Sequence, residues 1–283
     1  MTTWFITGAS RGFGLEIARQ ALERGDSVVA TARDPLKVES ALGAHAELLA
    51  VELDVRDAEQ ARAAVDVTVR RFGRIDVLVN NAGHGQVGAV EETSDEEVRK
   101  LFDINVFGLL TVTRAVLPVM RPQRSGRILN LSSIGGFVSW PGWGAYCATK
   151  HAVEGYSMAM RQELGPLGIQ VTSVAPGPFR TDFLDLSSLQ TAQGRIDDYD
   201  ASAGAMRAWA AETNHTQEGD PVRAAAAILV VADAERAPLH LPLGSSAVAG
   251  IEAKLTEIAD DVRQWREIAE STDFPDAVDG RLP

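Results

Sequence analysis

Short β-branched or apolar runs alternate along this chain with longer amphipathic stretches, and that alternation restricts the fold more than any other feature. The runs are Thr3–Thr7, Ser27–Ala32, Glu47–Leu53, Ile75–Asn80, Arg127–Leu131 and Ile169–Val174, with a shorter one near Leu239–Leu243. Between them lie Leu15–Arg24, Ala58–Phe72, Ser94–Met120 and Ala145–Leu164, whose apolar residues recur at helical spacing. Strand–helix alternation of this kind builds a parallel sheet with helices on both faces. The valine-rich strands agree, because a parallel sheet buries both of its faces. With no linker, repeat or low-complexity tract in the sequence, the expectation is one α/β domain over residues 1–283, a doubly wound parallel sheet of about seven strands.

Composition narrows the function. The 283 residues carry 45% hydrophobic and 23% charged side chains, an ordinary globular balance. A net charge of −12 repels phosphate backbones and argues against nucleic-acid partners. The single cysteine, Cys147, excludes an intrachain disulfide and fits a reducing compartment. Met1-Thr2-Thr3 leads straight into the first strand without a basic or cleavable leader. No apolar run approaches the roughly 18 residues of a membrane span. The expectation is therefore a cytoplasmic protein with no membrane partner.

Two regions fall outside the repeating pattern. Residues 183–215 are polar with scattered anchors (Phe183, Leu184, Leu186, Met206, Trp209), which predicts a mobile substrate lid ahead of a helix started by Pro221. A surface loop without a catalytic part is the alternative. Residues 245–271 form a helical extension in which Val248, Ile251, Leu255, Ile258, Val262, Trp265 and Ile268 make one apolar stripe. Docking on the core is the expected use of that stripe; a subunit contact or a wall of the substrate cleft are the alternatives.

Directly after the first strand comes Thr7-Gly8-Ala9-Ser10-Arg11-Gly12-Phe13-Gly14, followed by a helix. Glycines there permit a tight turn and let phosphates approach backbone N–H groups at the helix N-terminus, the device of a Rossmann-type nucleotide site. Three residues separate the first two glycines, which departs from G-x-G-x-x-G. At the end of the second strand an NAD site would place an acid for the ribose 2′-OH. This chain has Ala32 and then Arg33, with Arg11 in the glycine loop and Asp34 two positions beyond the strand. Two guanidiniums converging on a 2′-phosphate predict NADP (NADPH) over NAD.

Tyr146 and Lys150 are four apart in Tyr146-Cys147-Ala148-Thr149-Lys150, with Ser133 upstream. On a helix the pair shares one face, roughly 5–6 Å apart at Cβ. An ammonium there favours the ionised phenol and predicts a tyrosine pKa below its usual value of about 10. A fall of about three units would correspond to roughly 4 kcal/mol.

With these residues assembled, the chain resembles the short-chain dehydrogenase/reductase family, single-domain type, over about its first 180 residues. Further segments carry the match: Asn80-Asn81-Ala82-Gly83 after the fourth strand, Asp54 with Val55 after the third, Asn105 in Phe102-Asp103-Ile104-Asn105-Val106, and Pro176-Gly177-Pro178-Phe179-Arg180-Thr181. The resemblance implies that Asp54 and the Asn81–Gly83 turn border the adenine side. It implies that Pro176, Gly177, Phe179 and Thr181 hold the nicotinamide carboxamide. Pro178 is a departure that stiffens this loop while leaving Thr181 in register. By the same resemblance Tyr146 is the general acid or base, and Lys150 lowers its pKa and binds the nicotinamide ribose. Ser133, thirteen residues before Tyr146, polarises the substrate oxygen, and Asn105 holds a water linking Lys150 to solvent. These segments all follow expected strands, so a parallel sheet gathers them along one edge, where ligands bind.

The expected substrate borders are Phe137, Val138, Trp140, Trp143, Phe179 and Phe183, with Met206 and Trp209 from the lid. Such surfaces suit a bulky apolar or aromatic carbonyl compound or alcohol. The Thr31–Pro35 run and the long C-terminal part look similar to the branch with hydroxysteroid and retinol dehydrogenases. A 3-oxoacyl thioester reductase is the enzyme alternative, and a non-catalytic NADP-binding sensor the alternative from another class. The resemblance also implies a homodimer or homotetramer built through residues 94–120 and 144–165. Cys147 and His151 read as packing residues, and His84 either borders the pocket or merely follows the turn. No His/Cys/Asp cluster has metal-ligand spacing, so no metal is expected.

Overall fold

The computed structural model describes residues 1–274. Its elements in chain order are β1 (Thr3–Thr7), α1 (Gly12–Glu23), β2 (Ser27–Ala32), α2 (Pro35–Leu42), β3 (Leu48–Glu52), α3 (Ala58–Phe72), β4 (Val77–Asn80) and β5 (Gly85–Val87). There follow α4 (Asp95–Phe102), α5 (Leu109–Gln123), β6 (Gly126–Leu131), α6 (Gly144–Leu164), β7 (Ile169–Pro176) and β8 (Leu189–Thr191). The chain continues through α7 (Ala205–Thr213), α8 (Pro221–Asp233), β9 (His240–Leu243) and α9 (Ser245–Glu270).

The main sheet has seven strands in the order β3-β2-β1-β4-β6-β7-β9, and every pairing within it is parallel. β1 and β2 are buried along their whole length, as strands covered on both faces must be. One layer packs Ile17, Ala18 and Ile228 of α1 and α8 against Trp4, Ile6 and Val28. The other packs Val65, Val112 and Val116 of α3 and α5 against Phe5, Leu78 and Ile128. Strand order reverses between β1 and β4, which opens a crevice beyond the strands' carboxyl ends.

Local chemistry sets the element boundaries. Asp57 caps α3 by accepting from Glu59 and Gln60 N–H, and Gly73, left-handed at φ 79°, closes it. Ser94 and Glu97 form a reciprocal capping box at the start of α4. The single helix expected over Ser94–Met120 is divided by a π-turn at Asp103–Gly108. The whole run Asp95–Gln123 does reach span length, and an 18-residue window within it has a mean hydropathy of 1.4. Its Val112, Val116 and Met120 are fully buried against the sheet, so it is a core helix here. α2 and the small parallel β5–β8 sheet were not expected from the sequence.

Residues 183–215 fold as a structured flap. Its strand β8 pairs with β5, and α7 follows a short π-turn at Asp200–Gly204. The C-terminal helix departs from expectation. Only Ala247 of α9 is buried, and every residue from Leu255 to Phe274 is exposed. The stripe does not dock on the core.

Candidate active site

A cleft of about 1200 Å³ opens at the crevice between β1 and β4, bordered by β6, β7, the flap and the first turns of α9. Gly8 and Gly12 take positive φ (65° and 57°) to turn the loop after β1. Arg11 occupies the N-cap of α1 without a side-chain cap, leaving that helix N-terminus open to the cleft. Gly14 stands behind the loop: a Cβ there would lie 2.5 Å from the Gly8 carbonyl and 2.6 Å from Asn81 Nδ2. Asn81 Nδ2 donates to the Thr7 and Gly8 carbonyls at 2.9 Å, tying the end of β4 to the loop. Ser10, Phe13, Ala82 and Gly83 line the same wall.

At the far end Arg33 is exposed and lines the cleft. Asp34 is spent elsewhere, as the N-cap of α2 accepting from Leu36 N–H at 3.1 Å. Arg11 lines the cleft as well, and its guanidinium donates to Ser187 Oγ at 2.6 Å and to the Ser187 carbonyl at 3.1 Å in the flap. Asp54, with Val55 on the cleft wall, pairs with Arg56 at 2.5 Å. That hydrogen-bonded guanidinium holds the Asp54 carboxyl below its ordinary range. Arg56 is a cleft cation that the sequence reading missed.

The catalytic candidates meet at the middle of the cleft. Tyr146 and Lys150 stand one turn apart on α6 and are buried, with Nζ 5.6 Å from the phenol ring centroid. Lys150 Nζ donates to the Leu131 carbonyl at 2.7 Å. Ser133 lines the cleft in an extended conformation and accepts from Gly135 N–H at 3.0 Å. Asn105 sits in the π-turn, 2% exposed, behind the cleft wall rather than on it. It clamps His84 through both backbone groups, accepting from N–H at 3.0 Å and donating to the carbonyl at 2.9 Å. Its Nδ2 also donates to Thr149 Oγ1 at 3.2 Å, beside Lys150. The π-turn therefore places one amide between the Gly83–His84 turn and α6, a common use of such bulges.

Pro176, Gly177, Phe179 and Thr181 line the wall next to β7. Thr181 Oγ1 accepts from Phe183 N–H at 3.3 Å, and Phe179 meets Phe13 edge-on at 5.2 Å. Trp143 and Phe183 flank the phenol at ring distances of 5.7 and 5.4 Å. Val138, Trp140, Met206 and Trp209 complete the apolar part. Phe137 does not line the cleft; its ring packs edge-on against His240 at 5.4 Å. His84 does border it.

The sequence matches the short chain dehydrogenase family over residues 2–191. The chain belongs to the short-chain dehydrogenase/reductase family. It is 38% identical to oxidoreductase BOA17 of Botryotinia fuckeliana over 94% of this chain and 97% of that protein. It is 42% identical to 3-ketodihydrosphingosine reductase of Bacteroides thetaiotaomicron over 69% of this chain and 70% of that one. A short-chain dehydrogenase crystal structure from Streptomyces avermitilis superposes with a TM-score of 0.90 at 40% identity, covering 96% of this chain and 99% of that one.

In this dehydrogenase the electrostatics correct the expected pKa shift. Burial pushes the Tyr146 phenol above its ordinary value, and a hydrogen bond with Ser133 only partly opposes this. Burial brings Lys150 down to about 8, with the Glu154 carboxylate acting in the opposite direction. Desolvation wins because both side chains are buried, and the single Leu131 carbonyl replaces only part of the hydration the ammonium has lost. Glu154 was missed by the sequence reading. It lies one turn beyond Lys150, is buried, and accepts from Ser173 Oγ at 2.6 Å, with His240 Nδ1 at 3.1 Å from its other oxygen. Its i+4 spacing from Lys150 was the available signal.

The flap is latched by a second missed group. Glu92, buried, pairs with Arg207 of α7 at 2.6 Å and accepts from Ala89 and Ile196 N–H at 2.8 and 3.1 Å. Arg207's hydrogen bond holds the Glu92 carboxyl down to about 2. A depressed carboxyl pKa contributes stability that is complete above the ordinary value near 4.5 and is lost as pH falls through about 2. Glu92→Gln is expected to speed tryptic cleavage after Arg195 or Arg207 severalfold at pH 7, and to raise KM. Unchanged cleavage would show that the flap is held without this pair. The fold also brings Asp182, Asp185 and His215 within 4.8 Å of one another, a grouping the sequence did not suggest. Asp185 Oδ1 is already taken by Asn214 Nδ2 at 2.6 Å and His215 Nε2 at 3.0 Å.

Proposed function

We propose that this chain is an NADP-dependent oxidoreductase interconverting a ketone or aldehyde and an alcohol on a bulky apolar or aromatic substrate. The observation that carries the reading is one cleft with two unlike halves joined at Tyr146. One half is glycine loop, open helix terminus and Arg33; the other is Trp140, Trp143, Phe183, Met206 and Trp209. The residues fit a nicotinamide dinucleotide. The α1 N-terminus offers unpaired N–H groups to phosphates. Ser246 Oγ and Gln217 Oε1, on the wall shared with Gly177, are buried and lack partners among the described residues, as the lining of an amide site would. When bound, that cofactor supplies or accepts the hydride.

The chain's own groups do the rest. Tyr146 delivers a proton to the carbonyl oxygen in reduction, and Ser133 donates a hydrogen bond to the same oxygen as charge develops. Lys150 would hold the cofactor ribose, and Asn105 braces the Gly83–His84 turn against α6 beside it. A raised phenol pKa suits reduction, because the acid stays protonated across the physiological range.

The choice of NADP rests on Arg33, which lines the cleft while Asp34 is withdrawn into a helix cap. The relative named as a 3-ketodihydrosphingosine reductase supports a large apolar ketone, with a 3-oxoacyl thioester as the second reading. Enzymes of this family are commonly oligomeric. A homodimer or homotetramer through α4, α5 and α6 is part of the proposal, supported by exposed Phe107, Tyr156 and Met158. A cytoplasmic site of action completes it, in keeping with the free thiol of Cys147.

The test is NADPH and NADH oxidation against a panel of aromatic and long-chain ketones. Arg33→Asp is expected to shift the NADH/NADPH preference by roughly 10–100-fold, the effect of losing a charge-assisted contact. An unchanged ratio removes NADP from the proposal. Tight cofactor binding without turnover on any ketone would favour a sensor.

A further inference from the structure

Helix α9 carries two faces with different uses. Ala247 and Gly250 pack on the body, where a Cβ at Gly250 would come 2.8 Å from Ile134 Cδ1, and Lys254 and Glu257 continue that face over the cleft mouth. The adjoining face holds Val248, Ile251, Leu255, Ile258, Val262 and Trp265, separated by steps of 3, 4, 3, 4 and 3, with Ile268 at the end of the stripe a further 3 residues on, where the period stops. This is the a/d period of a two-stranded coiled coil rather than the broader stripe of a helix lying on a core. Leu255, Val262 and Trp265 are 59%, 56% and 56% exposed. A helix standing free of its own domain gains little from propensity alone, so its stability must come from packing.

We propose that this face is a docking surface for α9 of a second copy of the chain, running antiparallel to form a two-fold seam separate from α4, α5 and α6. The sequence closes on itself in that arrangement. Val248 lies against Trp265, Ile251 against Val262, and Leu255 against Ile258, each pair occurring twice by symmetry, as an isologous interface requires. At the flanking positions Lys254, which within its own helix donates to Glu257 at 2.7 Å, meets Asp261 of the second copy, an opposite-charge pair also made twice. The parallel arrangement sets Lys254 against Ala259 and places both bodies at one end of the seam. The antiparallel one places them at opposite ends of a helix roughly 39 Å long. It also brings the second copy's Trp265 next to Val248, two residues from Gly250 on the cleft wall, so the partner helix becomes part of the cleft's outer rim.

The experiment is sedimentation velocity of the full chain across the micromolar range. Leu255→Glu with Val262→Glu is expected to halve the mass of the assembly while leaving the far-UV circular dichroism of the body unchanged, because neither side chain touches it. Lys254→Glu is expected to weaken association severalfold, and adding Asp261→Lys to restore it. An unchanged mass in the Leu255/Val262 variant overturns the seam, whether the face is then covered by a different protein or by the chain's own residues 275–283. Failure of Asp261→Lys to compensate Lys254→Glu overturns the antiparallel pairing.

Discussion

Replacing Tyr146 with Phe is expected to lower turnover by roughly 10²–10⁴-fold, the range of a positioned proton donor, while leaving cofactor affinity nearly unchanged. The ring stays in place, since Trp143 and Phe183 hold it by apolar contact on either side. Only the hydroxyl is lost, and with it the proton for the substrate oxygen and the hydrogen bond with Ser133. The glycine loop, Arg33 and Lys150 remain, so a fluorescence titration with NADPH should give a dissociation constant close to that of the parent. Parallel loss of binding and turnover would mean that Tyr146 positions the cofactor rather than the proton. Retained turnover would remove it from the chemistry.

The direction of the phenol's shift alters the meaning of the Tyr-x-x-x-Lys spacing. From the sequence alone, an ammonium one turn away should ionise the phenol. In the structure the ammonium donates to the Leu131 carbonyl, and burial favours the neutral form of both groups. The pair thus stores a proton on tyrosine and a weakly held one on lysine. In the proposed reaction, that makes Tyr146 an acid poised to donate, with Lys150 the neighbour that replenishes it. Glu154, behind Lys150 and hydrogen-bonded to Ser173 on the next strand, supplies the negative charge that makes a buried lysine tolerable.

The sheet was legible because its inner strands β1, β2, β4, β6 and β7 are buried on both faces and so read as largely apolar runs. The bounds of α3 were legible because Asp57 and Gly73 mark its ends chemically. The glycine loop, Ser133, Tyr146 and Lys150 were legible because each follows a strand or sits in a fixed spacing. Asn105 was visible only through the family resemblance, since no period announces a π-turn. Glu92 and Arg207 are 115 residues apart, and only the fold of the flap brings them together. Phe137 and Arg11 were read from residue type, which gives chemistry but not direction. One packs on His240, and the other lines the cleft while donating to Ser187. The stripe on α9 was plain in the sequence, but an apolar face has the same pattern whether it meets its own core or another helix.

Replacing Lys150 with Met is expected to cost about two orders of magnitude or more in turnover and, at the same time, to stabilise the folded chain at neutral pH. The sign follows from linkage. Lys150 has a pKa of about 8 in the folded chain against 10.5 ordinarily. Between those values the unfolded chain binds more protons, so stability rises as pH increases from about 8 to about 10.5. Below 8 the folded chain bears the full cost of a buried charge, on the order of 3 kcal/mol. Methionine of similar length removes that cost but leaves the Leu131 carbonyl without its donor, a loss of about 1 kcal/mol. The net gain at pH 7 is then roughly 2 kcal/mol, and at pH 10.5 it should have vanished or changed sign. Above pH 10 the buried Tyr146 phenol costs both proteins stability, because only the unfolded chain ionises, and this cancels in their difference. Urea unfolding of the two proteins at pH 7 and pH 10 measures the gap directly. A gap that does not narrow with pH would show that Lys150 is not held as a strained, buried cation, and that its nearness to Tyr146 carries no stability cost for catalysis to exploit.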